Sequence, residues 1–339
     1  MKIHYISQHS VLEYDEALLL TEIGHEVFCN GAYLYPEGNP LLPRPGIPGA
    51  KFYPEFVELA TRYPKTELPA GLIEPFDIII IMDGAEGLPT LELNWDKMKH
   101  KKVIYRMIGQ SLSGKEKTIR RYKEQGLQVV RYSPAEGKLK AYGGGSTLIR
   151  FYKDPEEFKD WTGHDSKVVN LSQTLKGRRD FCGHDFLMGV GAGFPFKVYG
   201  DGNGDLGEFN GGSIPYEFMK GILRDSRVFL YGGTWPASYT LGFIEAWMTG
   251  IPVIAIGKDL WGHKDHSDTK DLYEVQDLIA QGDTGFFCNT VEDAKKIVTK
   301  LLEDHGYAKK IGEAGRREAI RVFGKDGIKK QWAEFLGKI

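Results

Sequence analysis

One carboxylate, Glu245, stands inside the apolar run Tyr239–Ala255, where Leu241, Ile244 and Met248 recur at helical spacing. Gly250 sits where a C-terminal cap belongs and Pro252 opens the next apolar run, so the stretch reads as a short helix followed at once by a buried strand. An unpaired buried charge is costly, so a Glu in this setting must face either a cleft or a partner. The bland alternative is a Glu on the exposed face of an ordinary amphipathic helix. A second group with chemical potential is the cationic stretch Lys176-Gly-Arg178-Arg179, which follows an apolar strand pattern. Cations there, with the amides at the start of the Glu245 helix near Ser238–Thr240, could take up the charge of an anion.

Other motifs offer less. Gly109-Gln-Ser-Leu-Ser-Gly114-Lys115 has P-loop spacing, but Glu116 occupies the position of the magnesium-binding hydroxyl and would repel phosphates. Gly202-Asn-Gly204-Asp-Leu-Gly207 fits a dinucleotide fingerprint, yet Glu208–Ser213 does not continue as a helix, so a Gly-rich turn at a strand end is the better account. Asp201, Asn203 and Asp205 begin like a calcium loop that lacks its Gly and its closing Glu. His263, Asp265, His266 and Asp268 cluster in a polar loop, with no helix to hold them in register for a metal. No metal is expected.

The elements that must position these groups alternate strand and helix, which argues an α/β architecture with largely parallel sheets. Strands are expected at Lys2–Ser7, Glu26–Cys29, Phe76–Met82, Lys102–Met107 and Leu127–Tyr132, and again at Lys167–Leu171, Phe196–Tyr199, Arg227–Tyr231, Pro252–Ile256 and Gly285–Cys288. Ser10-Val-Leu-Glu13 reads as a capping box opening a helix with Val11, Tyr14 and Leu18 on its apolar face. Pro215–Asp225 reads as a helix burying Phe218 and Ile222, Asp154–His164 as polar and helix-like, and Val291–Glu303, Tyr307–Val322 and Lys325–Leu336 as closing helices. The prolines from Pro36 to Pro54 are too dense for a regular element. Domains are expected at 1–160 and 161–322, with 323–339 as a separate closing segment.

With 41% hydrophobic and 27% charged residues over 339 positions, the composition is that of a soluble globular chain of about two domains. No apolar run nears the ~20 residues of a membrane helix. Met1–Ser7 reads as a strand, not a signal-peptide core, and Cys29, Cys182 and Cys288 lack metal-ligand spacing, so a cytoplasmic protein with reduced thiols is expected. Net charge is only −2 but uneven: thirteen Lys or Arg face three acids between Lys97 and Lys140. Lys115, Lys117, Arg120, Arg121 and Lys123 fall on one helix whose large apolar residues are Ile119 and Tyr122. That suggests a surface for an anionic partner on Lys115, Arg120 and Arg121, either phosphate-rich or made of membrane headgroups, against the plainer reading of a solvated face.

Glu245-Ala-Trp-Met-Thr-Gly250-Ile-Pro252-Val253 resembles the nucleotide-sugar signature of glycosyltransferases with the GT-B fold, especially the family-4-type retaining group. Gly282–Phe286 and the helices after it are similar to that group as well. Its second Glu, eight positions earlier, is replaced here by Ala237. The resemblance implies two Rossmann-like domains facing across a cleft, with the C-terminal helix crossing back to the first. It implies transfer of a sugar, a hexose above all, from a nucleoside-diphosphate sugar to an acceptor hydroxyl, with retention and without metal or other cofactor. Glu245 would bind the ribose. Thr240 and Leu241, with Gln173 and either Lys176 or Arg178, would hold the diphosphate, and Tyr216 falls at the base-contacting position. His9 and Asp83, at strand ends of the acceptor half, are the catalytic candidates. A glycan or lipid-linked glycan at the inner membrane face is the favoured acceptor. The alternatives are an epimerase of the same fold, a phage-type DNA-modifying glycosyltransferase, a P-loop NTPase and a catalytically silent nucleotide-binding subunit.

Overall fold

A computed structural model of the chain describes residues 1–35, 44, 46–51, 53–109, 111–262 and 267–339. They form two compact units, Met1–Phe151 with Asp326–Ile339, and Tyr152–Lys325.

The first unit is built on a parallel sheet of β1 (Lys2–Ile6), β2 (Glu26–Asn30), β3 (Ile78–Met82), β4 (Lys102–Arg106), β5 (Gln128–Arg131) and β6 (Thr147–Leu148), ordered β2-β1-β3-β4-β5-β6. Strand β3 carries four consecutive isoleucines with no exposed surface. Such an unbroken run is what a strand covered on both faces requires, and each side chain contributes about 1.5–3 kcal/mol of burial. Helices α1 (Ser10–Glu22), α2 (Pro54–Arg62), α3 (Gly87–Met98) and α4 (Ser113–Lys123) connect these strands. Pro54, expected in an irregular stretch, opens α2 at a position where its missing N–H costs nothing.

Helix α1 departs from its expected face. Val11, Tyr14 and Leu18 are half-buried, whereas Leu12, Glu13, Asp15, Glu16, Leu19 and Leu20 are buried. Its three inward carboxylates all have partners far along the chain. Glu13 accepts the Ala32 N–H at 2.7 Å and the Tyr33 N–H at 3.3 Å, Asp15 pairs with Arg44, and Glu16 lies 2.6 Å from Arg106. The capping box is absent for the same reason. His9 is the N-cap, its Nδ1 accepting the Leu12 N–H at 3.4 Å, while the Glu13 side chain is spent on the loop after β2.

The second unit repeats the plan with β7 (Asp165–Leu171), β8 (Phe196–Tyr199), β9 (Asn210–Gly212), β10 (Ser226–Tyr231), β11 (Val253–Ile256) and β12 (Phe286–Cys288), all parallel and ordered β12-β11-β10-β7-β8-β9. Its helices are α5 (His184–Gly191), α6 (Tyr216–Asp225), α7 (Leu241–Thr249), α8 (Val275–Leu278), α9 (Val291–Glu303) and α10 (His305–Phe323). Helix α11 (Lys325–Leu336) lies almost wholly in the first unit, where the Arg106 guanidinium stands 5.7 Å from the Trp332 ring. Two expectations fail in the second unit. Helix α6 buries Met219 and Leu223 and leaves Phe218 70% exposed. Asp154–His164 forms turns, not a helix, and Arg316 takes two of its carbonyls, donating to Pro155 at 2.8 Å and to Phe158.

Candidate nucleotide site in the second unit

The strand order of the second unit reverses between β7 and β10. In an open parallel sheet the crevice outside the carboxyl ends of such a neighbouring pair is where ligands bind. The residues that follow β7 and β10 therefore border that crevice.

After β7, Ser172–Leu175 is held as a fixed loop from below. Asn203 is buried; its Oδ1 accepts the Leu175 N–H at 2.9 Å, and its Nδ2 donates to the Ser172 carbonyl at 2.7 Å and the Gly200 carbonyl at 3.0 Å. Thr174 donates its N–H to the Asp201 carbonyl at 2.7 Å. Gly200, at φ +141°, lies so close that a Cβ would stand 2.4 Å from the Ser172 oxygen. The Gly-rich turn thus serves as the brace of the loop above it, a role that its own spacing did not reveal. Gln173, Lys176 and Arg178 are exposed on this braced segment, and neither cation is paired with a carboxylate among the described residues.

After β10, the chain reaches the start of α7. Thr240 is its N-cap with extended backbone, no side chain caps the first turn, and Thr240, Leu241 and Gly242 are half-buried. A helix start of this kind presents N–H donors and the positive end of the dipole. The other end of α7 is closed. Gly250 caps it at φ +91°, and Arg316 of α10 donates to the Met248 carbonyl. Gly312 lets α10 pass so near that a Cβ there would meet the Gly250 oxygen. The apolar helix is thereby pinned at its C-terminus with its N-terminus at the strand ends.

Glu245, one turn along α7, is only 5% exposed. It has a partner that its sequence context did not indicate: Lys153 Nζ lies 2.7 Å from Oε1, with no exposed side-chain surface of its own. The Tyr216 hydroxyl is 3.5 Å from the same oxygen and 3.4 Å from Lys153 Nζ. The structure therefore brings Glu245 and Tyr216 together and adds Lys153. A cavity of about 460 Å³ opens beside the crevice, lined among others by Arg179, Phe181, His184, Gly232 and Trp261. A groove of about 570 Å³ around Phe218, Arg224 and Thr249 lies toward the opposite ends of the strands.

In the first unit the order reverses between β1 and β3, and His9 and Asp83 follow those two strands. His9 is exposed and caps α1, its Nδ1 accepting the Leu12 N–H at 3.4 Å. Asp83 is buried, and its Oδ1 accepts from the Tyr105 hydroxyl at 2.8 Å and from Lys115 at 2.6 Å. Lys115 thus belongs to an ion pair and is not a free surface charge. Arg120 donates to the Tyr142 carbonyl at 2.7 Å, and Arg121 lies 3.0 Å from Glu92. Glu116, on the face of α4 expected to bury little, lies at 2.7 Å from Arg131 with no exposed surface and accepts the Gly143 N–H. This arrangement leaves the P-loop-like segment without a phosphate cradle at Glu116.

The His263, Asp265, His266 and Asp268 cluster falls outside the residues and side chains described. Among the described residues no group of three or more His, Cys, Asp or Glu is placed to hold a metal, and no helix is long and apolar enough to cross a membrane.

No protein-family model matches the chain, and no curated protein matches it in sequence. Solved structures do match in fold. HepE from Anabaena, solved with UDP and glucose, is 16% identical with full coverage of both chains and a TM-score of 0.65. Sucrose-phosphate synthase from Thermosynechococcus elongatus is 14% identical over 100% of this chain and 98% of its own, with a TM-score of 0.69. A glycosyltransferase from Rickettsia africae is 15% identical over 98% and 97%, with a TM-score of 0.63. The chain has the GT-B fold of these glycosyltransferases.

Proposed function

We propose that the protein is a glycosyltransferase that moves a hexose from a nucleoside-diphosphate sugar to an acceptor hydroxyl, with the donor on the second unit and a glycan, free or lipid-linked, on the first. The observation that carries this reading is the convergence at the β7–β10 reversal: two unpaired cations on a braced loop, an uncapped helix start, and Glu245 on that same helix. Lys176, Arg178 and the α7 amides supply positive charge where the diphosphate would lie. Glu245 supplies acceptor lone pairs for the ribose hydroxyls one turn along the helix. The fold shared with HepE, which has been solved with UDP-glucose, makes a uridine nucleotide the first donor to test.

In this reaction the bond from the sugar C1 to the β-phosphate oxygen breaks, and the acceptor oxygen bonds to the same carbon. The acceptor proton ends on the departing diphosphate. Negative charge grows on that diphosphate as the bond opens, so fixed cations and helix-end N–H groups stabilise the transition state more than the bound donor. No step asks for a metal, and activity in excess chelator is the expected outcome. Retention follows if the acceptor approaches from the side the diphosphate leaves. His9 and Asp83 are the groups proposed to act in the acceptor half, and Asp83 is held in place by Lys115 and Tyr105.

The test is a calorimetric titration with UDP. A hydrogen bond to a charged group contributes about 1.5–3 kcal/mol, so Glu245→Ala, combined with Lys153→Met so that no buried ammonium is stranded, weakens binding about ten- to hundredfold. Unchanged affinity would remove Glu245 from the site.

A further inference from the structure

Lys153 has a placement that no sequence pattern marks. Its ammonium is fully buried, at 2.7 Å from Glu245 and 3.4 Å from the Tyr216 hydroxyl, between the rings of Phe158 at 5.6 Å and Tyr216 at 5.7 Å. Its backbone is fixed too, donating an N–H to the Phe323 carbonyl at 3.0 Å and bridging in parallel to Gly324. A lysine with four rotatable bonds held this tightly out of water is unfavourable unless its position serves something. The object it holds is the one carboxylate of α7, whose other residues from Leu241 to Thr249 carry no charge.

We infer that Lys153 is a positioning residue for the nucleotide: by occupying Oε1 of Glu245 it keeps that carboxylate charged and aimed for the ribose hydroxyls. This rests on the reading that Glu245 binds the ribose, and it adds the reason a carboxylate can do so from inside an apolar helix. An ionised carboxylate has about four lone-pair sites, so one ammonium and one phenol on Oε1 leave acceptor capacity for a diol, whereas a protonated acid would present a donor to it. Two other cations of the second unit are committed elsewhere. Lys220 on α6 lies over the Tyr216 ring at 5.5 Å and is paired with Glu157 at 3.3 Å and Glu217 at 2.7 Å, and Arg316 on α10 is spent on backbone carbonyls. A buried carboxyl that faces no cation favours its neutral form, and Lys153 is the cation that faces this one.

The experiment is calorimetry with UDP-glucose from pH 5.5 to 8.5 on wild type, Lys153→Met, Glu245→Gln and the double variant Lys153→Met/Glu245→Gln. UDP-glucose has no group of its own that titrates in this range. Wild type is expected to bind with little pH dependence. Lys153→Met is expected to bind about tenfold more weakly near pH 6 and to recover as pH rises, releasing a proton on binding at low pH, which heats measured in two buffers report. The double variant, which leaves no buried charge uncompensated, folds and binds weakly at every pH. Weakening by Glu245→Gln with a Lys153→Met profile parallel to wild type would overturn this inference alone. Indifference of binding to Glu245→Gln, or no binding by wild type, would overturn the donor reading beneath it as well.

Discussion

The two units share a sheet plan and differ in how they use charge at the carboxyl ends of their strands. In the first unit, charges near those ends are turned inward. Asp83 is held by Lys115, Glu13 holds the loop after β2, and Arg106 is surrounded by Glu16, by the Ile149 carbonyl at 2.7 Å and by the Phe151 ring. In the second unit, the corresponding edge keeps Lys176 and Arg178 in water and leaves a helix start uncapped, while its buried ion pair, Lys153 with Glu245, sits on the helix that lines the edge. Charge that is already satisfied fixes loops. Charge that is left accessible can meet a ligand.

Removing Arg106 breaks this contrast most severely. Arg106→Met would strand Glu16 without a counter-charge in a fully buried place, and such losses cost about 3–5 kcal/mol. A clear fall in the unfolding midpoint of denaturant titrations is expected, and a small one would mean that Glu16 finds water or a proton easily. Glu13 comes next. Burial is the main cause that raises its pKa from 4.5 to about 7, opposed by the Ala32 and Tyr33 amides. A raised folded-state value means the group contributes stability in full below about pH 4.5 and loses it as pH rises through about 7. The loss amounts to about 3 kcal/mol between those limits. Urea titrations should show that the wild-type decline over this window flattens in Glu13→Gln; equal slopes would show that the carboxyl titrates normally. The smallest effect belongs to the second unit. Lys176→Asn with Arg178→Asn should leave the unfolding free energy within about 0.5 kcal/mol, as surface changes do, yet weaken UDP binding about tenfold and flatten its salt dependence. The same change at Arg120 and Arg121 of the first unit should leave UDP binding as it was.

Much of this arrangement can be read along the chain where the signal is local and long. Helices Val291–Glu303 and Lys325–Leu336 begin and end where their periodicity and caps say, and α7 with Gly250 behind it follows from composition alone. What the chain conceals depends on distant partners. The buried faces of α1 and α6 escape a hydropathy pattern, which counts a carboxylate as outward and an aromatic ring as inward. Glu13, Asp15 and Glu16 find donors that lie up to ninety positions away, and Phe218 is left on the surface. The short strands β6 and β9 are set by pairing with a neighbour, not by their own residues. Lys153 and Asn203 are the sharpest cases. One is a lysine in a polar segment and the other an Asn among glycines, and nothing within ten residues of either shows that they hold Glu245 and the loop of Gln173.

The bridge between Lys153 and Gly324 means that the second unit begins and ends at one place. Its chain is continuous, whereas the first unit needs Asp326–Ile339 and the Trp332 ring beside Arg106 before it is whole. On a ribosome the order of birth is therefore inverted. The half made first must wait, its last helix unmade, while the half made second can close around its own core as soon as Phe323 emerges. A chain shortened by that final helix should keep a sound second half beside an unfinished first one.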